Sequence, residues 1–172
     1  MTRLFHVSDV ANIGQFVPRP SSSIIQTDAV WAIDEEHLVN YLLPRDCPRV
    51  CCTSNSLTST EDRDRYIGAS QASRIIAVEW NWLDRIRSEV LYVYEFSTDS
   101  FELLDANAGY WVSKVPCEPT SVTTVDDVLS ELGRRNVELR FMTDLWPFHN
   151  AIATSSLEFS MIRMRNTANR LV

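Results

Sequence analysis

The apolar segments of this chain are short and follow one another in no regular order. Ala29-Val30-Trp31-Ala32-Ile33, Arg74 to Glu79 and Val90 to Phe96 are each five to seven residues long. Runs of that length, rich in β-branched and aromatic residues and bounded by polar or proline-containing turns, make strands rather than long helices. Arg3 to Ser8 alternates apolar and polar and predicts another strand. Further short strands are predicted over Arg49–Cys52, Phe101–Leu104, Tyr110–Ser113, Val137–Phe141 and Leu157–Met164.

Helical signals are equally short. Asp34 is a good N-cap, and Pro44 stops a helix running from Glu35 to Leu43. Trp80 to Arg87 predicts a turn or two. Val125 to Gly133 carries Asp126 and Asp127 in its first turn and Arg134-Arg135 past its end, which suits the helix dipole. Pro147 to Ala153 predicts a last helix. Asp9 to Gln15 could form one turn, and Phe16 to Pro20 is extended because residues before proline avoid the helical region. Ser21 to Asp28 is a polar loop. Thr53 to Ser73 is a surface loop insertion, with a short helix over Thr60–Tyr66. The strands and helices do not alternate regularly, so the expected fold is α+β: a bent, mostly antiparallel split sheet with a few short peripheral helices.

The chain has 172 residues, which predicts one domain over 1–172 with a real core. The N-terminal MTRLFHVSDVANIGQF lacks a basic start followed by an apolar stretch, so no secretory signal is expected. No apolar run approaches the roughly 18–20 residues that span a bilayer, so no membrane partner is expected. Lys and Arg number 16 against 23 Asp and Glu, a net charge of −7, which argues against bulk nucleic-acid binding. Lys114 is the single lysine. Cys47, Cys51, Cys52 and Cys117 form no zinc-like spacing, so no metal is expected. Free thiols in a reducing, cytoplasmic compartment are expected instead. GxGxxG, GxxxxGK[ST] and G-x-S-x-G are all missing, which removes the Rossmann, P-loop and serine-hydrolase signatures.

Several side chains could carry chemistry. His6 sits mid-strand on the face of Leu4 and Ser8, where a neutral imidazole could grip a sugar hydroxyl or act as a base, or be a half-buried structural residue. Tyr41 shares a helix face with Leu38 and Leu42, which suits a core residue or a ligand platform. His37, one turn earlier, is expected in solvent. Arg19, Arg45 and Arg49 flank proline turns, where they could clamp an anion or pair with Asp46 or Glu36. Glu79, Glu95 and Glu118 lie near strand ends as candidate bases, with no spacing that pairs them. Trp80, Trp82, Trp111 and Trp146 are expected in the core.

Two resemblances add to this. LFHVSDVANIGQFVPRP, VWAIDEEHLVNYLLPRDCPRV, VEWNWLDRI, YWVSKVPCEP and FSMIRMRN together strongly resemble the domain of unknown function 6886, whose members are small single-domain proteins of bacteria and fungi. That family implies no activity. More remotely, a strand L-[FY]-H-x-[ST], then a strand V-[WY]-A-x-D leading to a helical Tyr, is similar to the ADP-ribosyltransferase fold, in its RNA 2′-phosphotransferase-like branch.

That likeness implies that His6, with Ser8 close by, binds the nicotinamide-side ribose. It implies that Trp31 and a stacking Tyr41 line the nicotinamide pocket. NAD is then a substrate, not a tightly held cofactor. Arg19 or Arg45 would neutralise the diphosphate. The third strand of that fold would be Tyr110-Trp111-Val112-Ser113. It has no Glu at its start, and Glu118 lies beyond Pro116, so transfer of ADP-ribose onto a side chain lacks its usual carboxylate.

Three functions follow as expectations. The first is an enzyme of that fold, binding NAD or another ADP-ribose-containing nucleotide. The second is a binding module for a small molecule or peptide, without catalysis. The third is a small tailoring or hydrolytic enzyme using Glu118 or Cys117 with His6.

Overall fold

The computed structural model describes residues 2–20 and 28–168. The polar loop expected over Ser21 to Asp28 lies outside the described residues, apart from Asp28. The described chain is α+β, with ten strands in two sheets and four short helices. Among its eight strand pairings only one is parallel. The mostly antiparallel character matches the expectation, and the split is complete: each sheet belongs to its own compact unit.

The first unit comprises residues 1–42 and 90–126. Its strands are β1 (Leu4–Ser8), β2 (Val30–Asp34), β5 (Leu91–Phe96), β6 (Glu102–Asp105), β7 (Tyr110–Ser113) and β8 (Ser121–Val125). They pair in the order β6-β7-β2-β1-β5-β8. β1 is central, with β2 and β5 antiparallel on either side. Leu4, Val30, Ala32, Tyr94 and Phe96 form one apolar face, closed by Phe101, Cys117 and the partly buried Phe16.

Phe16 arrives on a strap that leaves β1. The Tyr94 hydroxyl donates to the Val10 carbonyl at 2.8 Å and accepts from the Ile13 amide at 3.2 Å. Two backbone hydrogen bonds, 2.8 and 2.9 Å, join Phe16 to Cys117. The Phe16 ring then meets Tyr94 and Phe96 edge-on at 5.1 Å, a favoured aromatic geometry.

The second unit comprises residues 43–89 and 127–172. It holds β3 (Arg49–Thr53), β4 (Arg74–Glu79), β9 (Val137–Met142) and β10 (Glu158–Ile162), in the order β10-β3-β4-β9. The parallel pair is β4–β9. Val50, Cys52, Ile75 and Ala77 present one face to Leu145, Ile152 and Leu157. Helix α4 (Trp146–Ala153) supplies Ile152.

Residues 53–73 contain a helical segment where a short helix was expected. Helix α1 (Thr60–Asp62), capped by the Ser59 hydroxyl, runs into a π-helical stretch, Arg63–Ile67, whose Ile67 is buried in this core. Helix α2 (Leu83–Ser88) packs against α3 (Val128–Arg134), and α3 starts one turn later than predicted because Asp127 caps it through the Ser130 amide.

Two expectations are corrected. The helix predicted over Glu35–Leu43 is only a turn followed by a 3-10 segment, Leu38–Tyr41, although the Asp34 carboxylate accepts from the His37 amide in the manner of an N-cap. Trp80 is 53% exposed rather than in the core, and stacks on Phe141 at 4.8 Å.

Candidate functional site

Alternation along the strands sorts the expected site residues. In β1, Leu4, His6 and Ser8 share a face with the apolar cluster of Tyr94 and Phe96, which lie opposite His6 and Leu4 in β5. In β2, Ala32 belongs to that same face, so Trp31 and Ile33 point the other way. Tyr110 lies opposite Ile33 in β7 and joins them.

His6 is half-buried beneath Phe16, with ring centroids 4.9 Å apart. Its Nδ1 stands 2.9 Å from the Trp31 carbonyl oxygen. A carbonyl oxygen can only accept, so Nδ1 carries the proton and Nε2 of the neutral ring is an acceptor. Ser8 is half-buried, and its hydroxyl accepts from the Val10 amide at 3.1 Å, which holds the start of the strap.

On the opposite face, Tyr41 from the 3-10 segment donates its hydroxyl hydrogen to the Tyr110 hydroxyl at 2.8 Å. The Tyr110 ring meets Trp31 edge-on at 5.7 Å. Trp31 Nε1 is buried and has no hydrogen-bond partner among the described residues. The structure therefore groups Trp31 with Tyr41, and His6 with Ser8, on opposite faces of one sheet.

The remaining predicted residues are dispersed. Arg19 is exposed on the extended segment, where its backbone pairs with Ala29. Arg45 belongs to the second unit, exposed on a turn, and its carbonyl accepts from Arg163 at 3.4 Å. Arg49 is buried rather than presented to an anion: its Nη1 donates to the Pro44 and Cys47 carbonyls, both at 3.0 Å.

Glu118 is exposed, and among the described residues no hydrogen bond or ion pair holds its carboxylate. Glu95 is engaged by Arg3 at 2.9 Å and Ser121 at 3.1 Å; those hydrogen bonds, Arg3 foremost, hold it below the usual carboxylate range. Glu79 is 1% exposed in the second unit and accepts from the Ala168 amide at 2.9 Å.

The cysteines are buried and unbridged. Cys117 Sγ donates to the Val115 carbonyl at 3.2 Å, as a small structural residue does. Burial pushes the Cys47 and Cys51 thiols up to about 12 and Cys52 up to about 11, against nearby arginines that pull the other way. Thiolates are disfavoured there. Among the described residues no group of three His, Cys, Asp or Glu could hold a metal ion. No helix among them is long and apolar enough to cross a membrane.

One constellation went unread in the sequence. His37, expected in solvent, is only 6% exposed. The Asp34 carboxylate accepts from its backbone amide at 2.9 Å and from its ring Nδ1 at 2.7 Å. Gly109, at φ +67°, faces the pair so closely that a Cβ would lie 2.3 Å from His37 Nδ1 and 2.7 Å from both Asp34 oxygens. The Asp34 amide also donates to the Gly109 carbonyl at 3.0 Å. The usable signals were the Asp-x-x-His spacing and one of only four glycines ending a turn.

Fold and site together define a small α+β protein whose central strand presents a histidine of fixed tautomer under an aromatic strap. The chain belongs to a family of unknown function, DUF6886, which matches residues 5–167. No curated protein and no solved structure matches it.

Proposed function

We propose that this protein binds NAD or another ADP-ribose-containing nucleotide through ribose hydroxyls at His6. The observation that supports this most is the His6–Trp31 carbonyl contact. A backbone acceptor on Nδ1 fixes the tautomer and the direction of the imidazole, and a ring held in one orientation is suited to binding hydroxyls. Phe16 supplies an aromatic wall beside that ring.

Binding, rather than ADP-ribose transfer, is the reading these residues favour. Glu118 is exposed and unanchored, and Cys117 is buried and hydrogen-bonded. Neither has the anchored geometry of a general base or nucleophile. Tyr41 and Trp31 do not share His6's face, so they serve as a second aromatic surface and not as the base platform of the same ribose site. Buried, unbridged thiols also fit a cytoplasmic protein.

Thermal unfolding with NAD, ADP-ribose, AMP and nicotinamide tests this. A ligand at about 100 times its dissociation constant stabilises by roughly 2.7 kcal/mol. A shift with NAD or ADP-ribose that His6→Ala removes supports the reading. The absence of any shift removes it, and turnover of NAD by the pure protein would replace binding with catalysis.

A further inference from the structure

Each sheet has two edges, and the four edge strands differ in one respect. β6 carries Glu102 and Asp105, β9 carries Glu138 and Arg140, and β10 carries Glu158. Charges on an edge discourage pairing with another chain. β8, Ser121-Val122-Thr123-Thr124-Val125, has neither a charge nor a proline. Ser121 to Thr124 are exposed, and Val122 is 53% exposed. All five residues pair with β5 on one side. Among the described residues no backbone hydrogen bond reaches the other side.

We propose that β8 is the edge through which two copies of this chain pair, antiparallel, into one continuous sheet. Side chains directly opposite each other lie on the same face, and a two-fold axis through the sheet keeps each face on its own side. One residue must then sit opposite itself. With Thr123 at that position, Val122 lies opposite the second copy's Thr124, and Ser121 opposite its Val125. Thr120 lies opposite Asp126, a hydroxyl against a carboxylate, and Pro119 ends the ladder. β-branched and Thr–Thr cross-strand pairs are the favourable ones, and no like charges meet in this register.

Sedimentation equilibrium of the full chain, from micromolar to submillimolar concentration, tests this. A concentration-dependent dimer is expected. Thr123→Lys puts two ammonium groups directly opposite each other and should weaken the dimer at least about tenfold while circular dichroism stays native. Thr123→Cys should form a disulfide-linked dimer on mild oxidation, because opposed residues bring their Cβ atoms to about 4.5–5.5 Å and the native thiols are buried. Val122→Cys should not. A monomer throughout the range, a dimer indifferent to Thr123→Lys, or equal cross-linking at both positions would overturn the proposal.

Discussion

His6 Nδ1 and the Trp31 carbonyl oxygen, 2.9 Å apart on adjacent strands, set the tautomer of the imidazole in the centre of the six-stranded sheet. His6→Ala should weaken ADP-ribose binding by about tenfold or more, the worth of roughly 1.4 kcal/mol. His6→Gln, which keeps a polar side chain on that face of the strand, should recover part of it. Isothermal titration of the three proteins checks this; equal affinities would show that His6 is structural only.

Gly109 has no room for a side chain. Gly109→Ala puts a methyl carbon 2.3 Å from His37 Nδ1 in a left-handed backbone conformation. It should destabilise by more than about 2 kcal/mol. Gly133→Ala, where nothing lies within 4 Å, is the matched control and should change little. Urea midpoints of the pair decide it.

The native thiols should resist alkylation. Iodoacetamide at neutral pH is expected to modify none of the four cysteines in the folded protein and all four in denaturant, because all are buried. Rapid labelling of Cys117 would revive the nucleophile reading. The raised thiol values have a second consequence. The folded state holds these protons longer than the unfolded one, so their contribution to stability is complete below about pH 8.5 and falls as pH rises toward 11–12.

Acid acts on the opposite sign. Glu95 is held low by Arg3 first and Ser121 as well. Its contribution is present above the unfolded carboxylate value, about 4.3, and is lost as pH falls through the depressed folded one. Glu95→Gln should therefore flatten the loss of stability between about pH 5 and pH 3, most visibly at low salt because Arg3 is half-exposed. Denaturant midpoints against pH measure it, and parallel curves for the two proteins would refute it.

Tyr94→Phe removes one hydroxyl that serves two strap groups, the Val10 carbonyl and the Ile13 amide. A loss of about 1–2 kcal/mol is expected. Hydrogen exchange should rise at Ile13 more than in β5, which would show that the hydroxyl fastens the strap and not the sheet.

Local patterns were readable in the sequence wherever the physics is local. Tyr110–Ser113 and Arg74–Glu79 are strands at the predicted residues, and Val90–Phe96 differs by one. β-branched and aromatic runs between turn residues bias the backbone without help from distant partners. Asp127, expected inside the first turn of its helix, instead caps a helix that begins at Val128.

What needed the tertiary structure was every choice among distant partners. In Val30-Trp31-Ala32-Ile33 the apolar residues are consecutive, so no alternation says which side chains face the strap; pairing with β1 and β7 decides it. His37 reads as a solvated helix residue until Gly109, far along the chain, closes over it. The division of the strands into two sheets depends on pairings such as Arg74 with Val137. Composition and periodicity determined that this chain makes short strands and an α+β fold. Which strands met, and therefore which residues share a site, was decided by the free energy of contacts between segments whose local sequences carry no mark of each other.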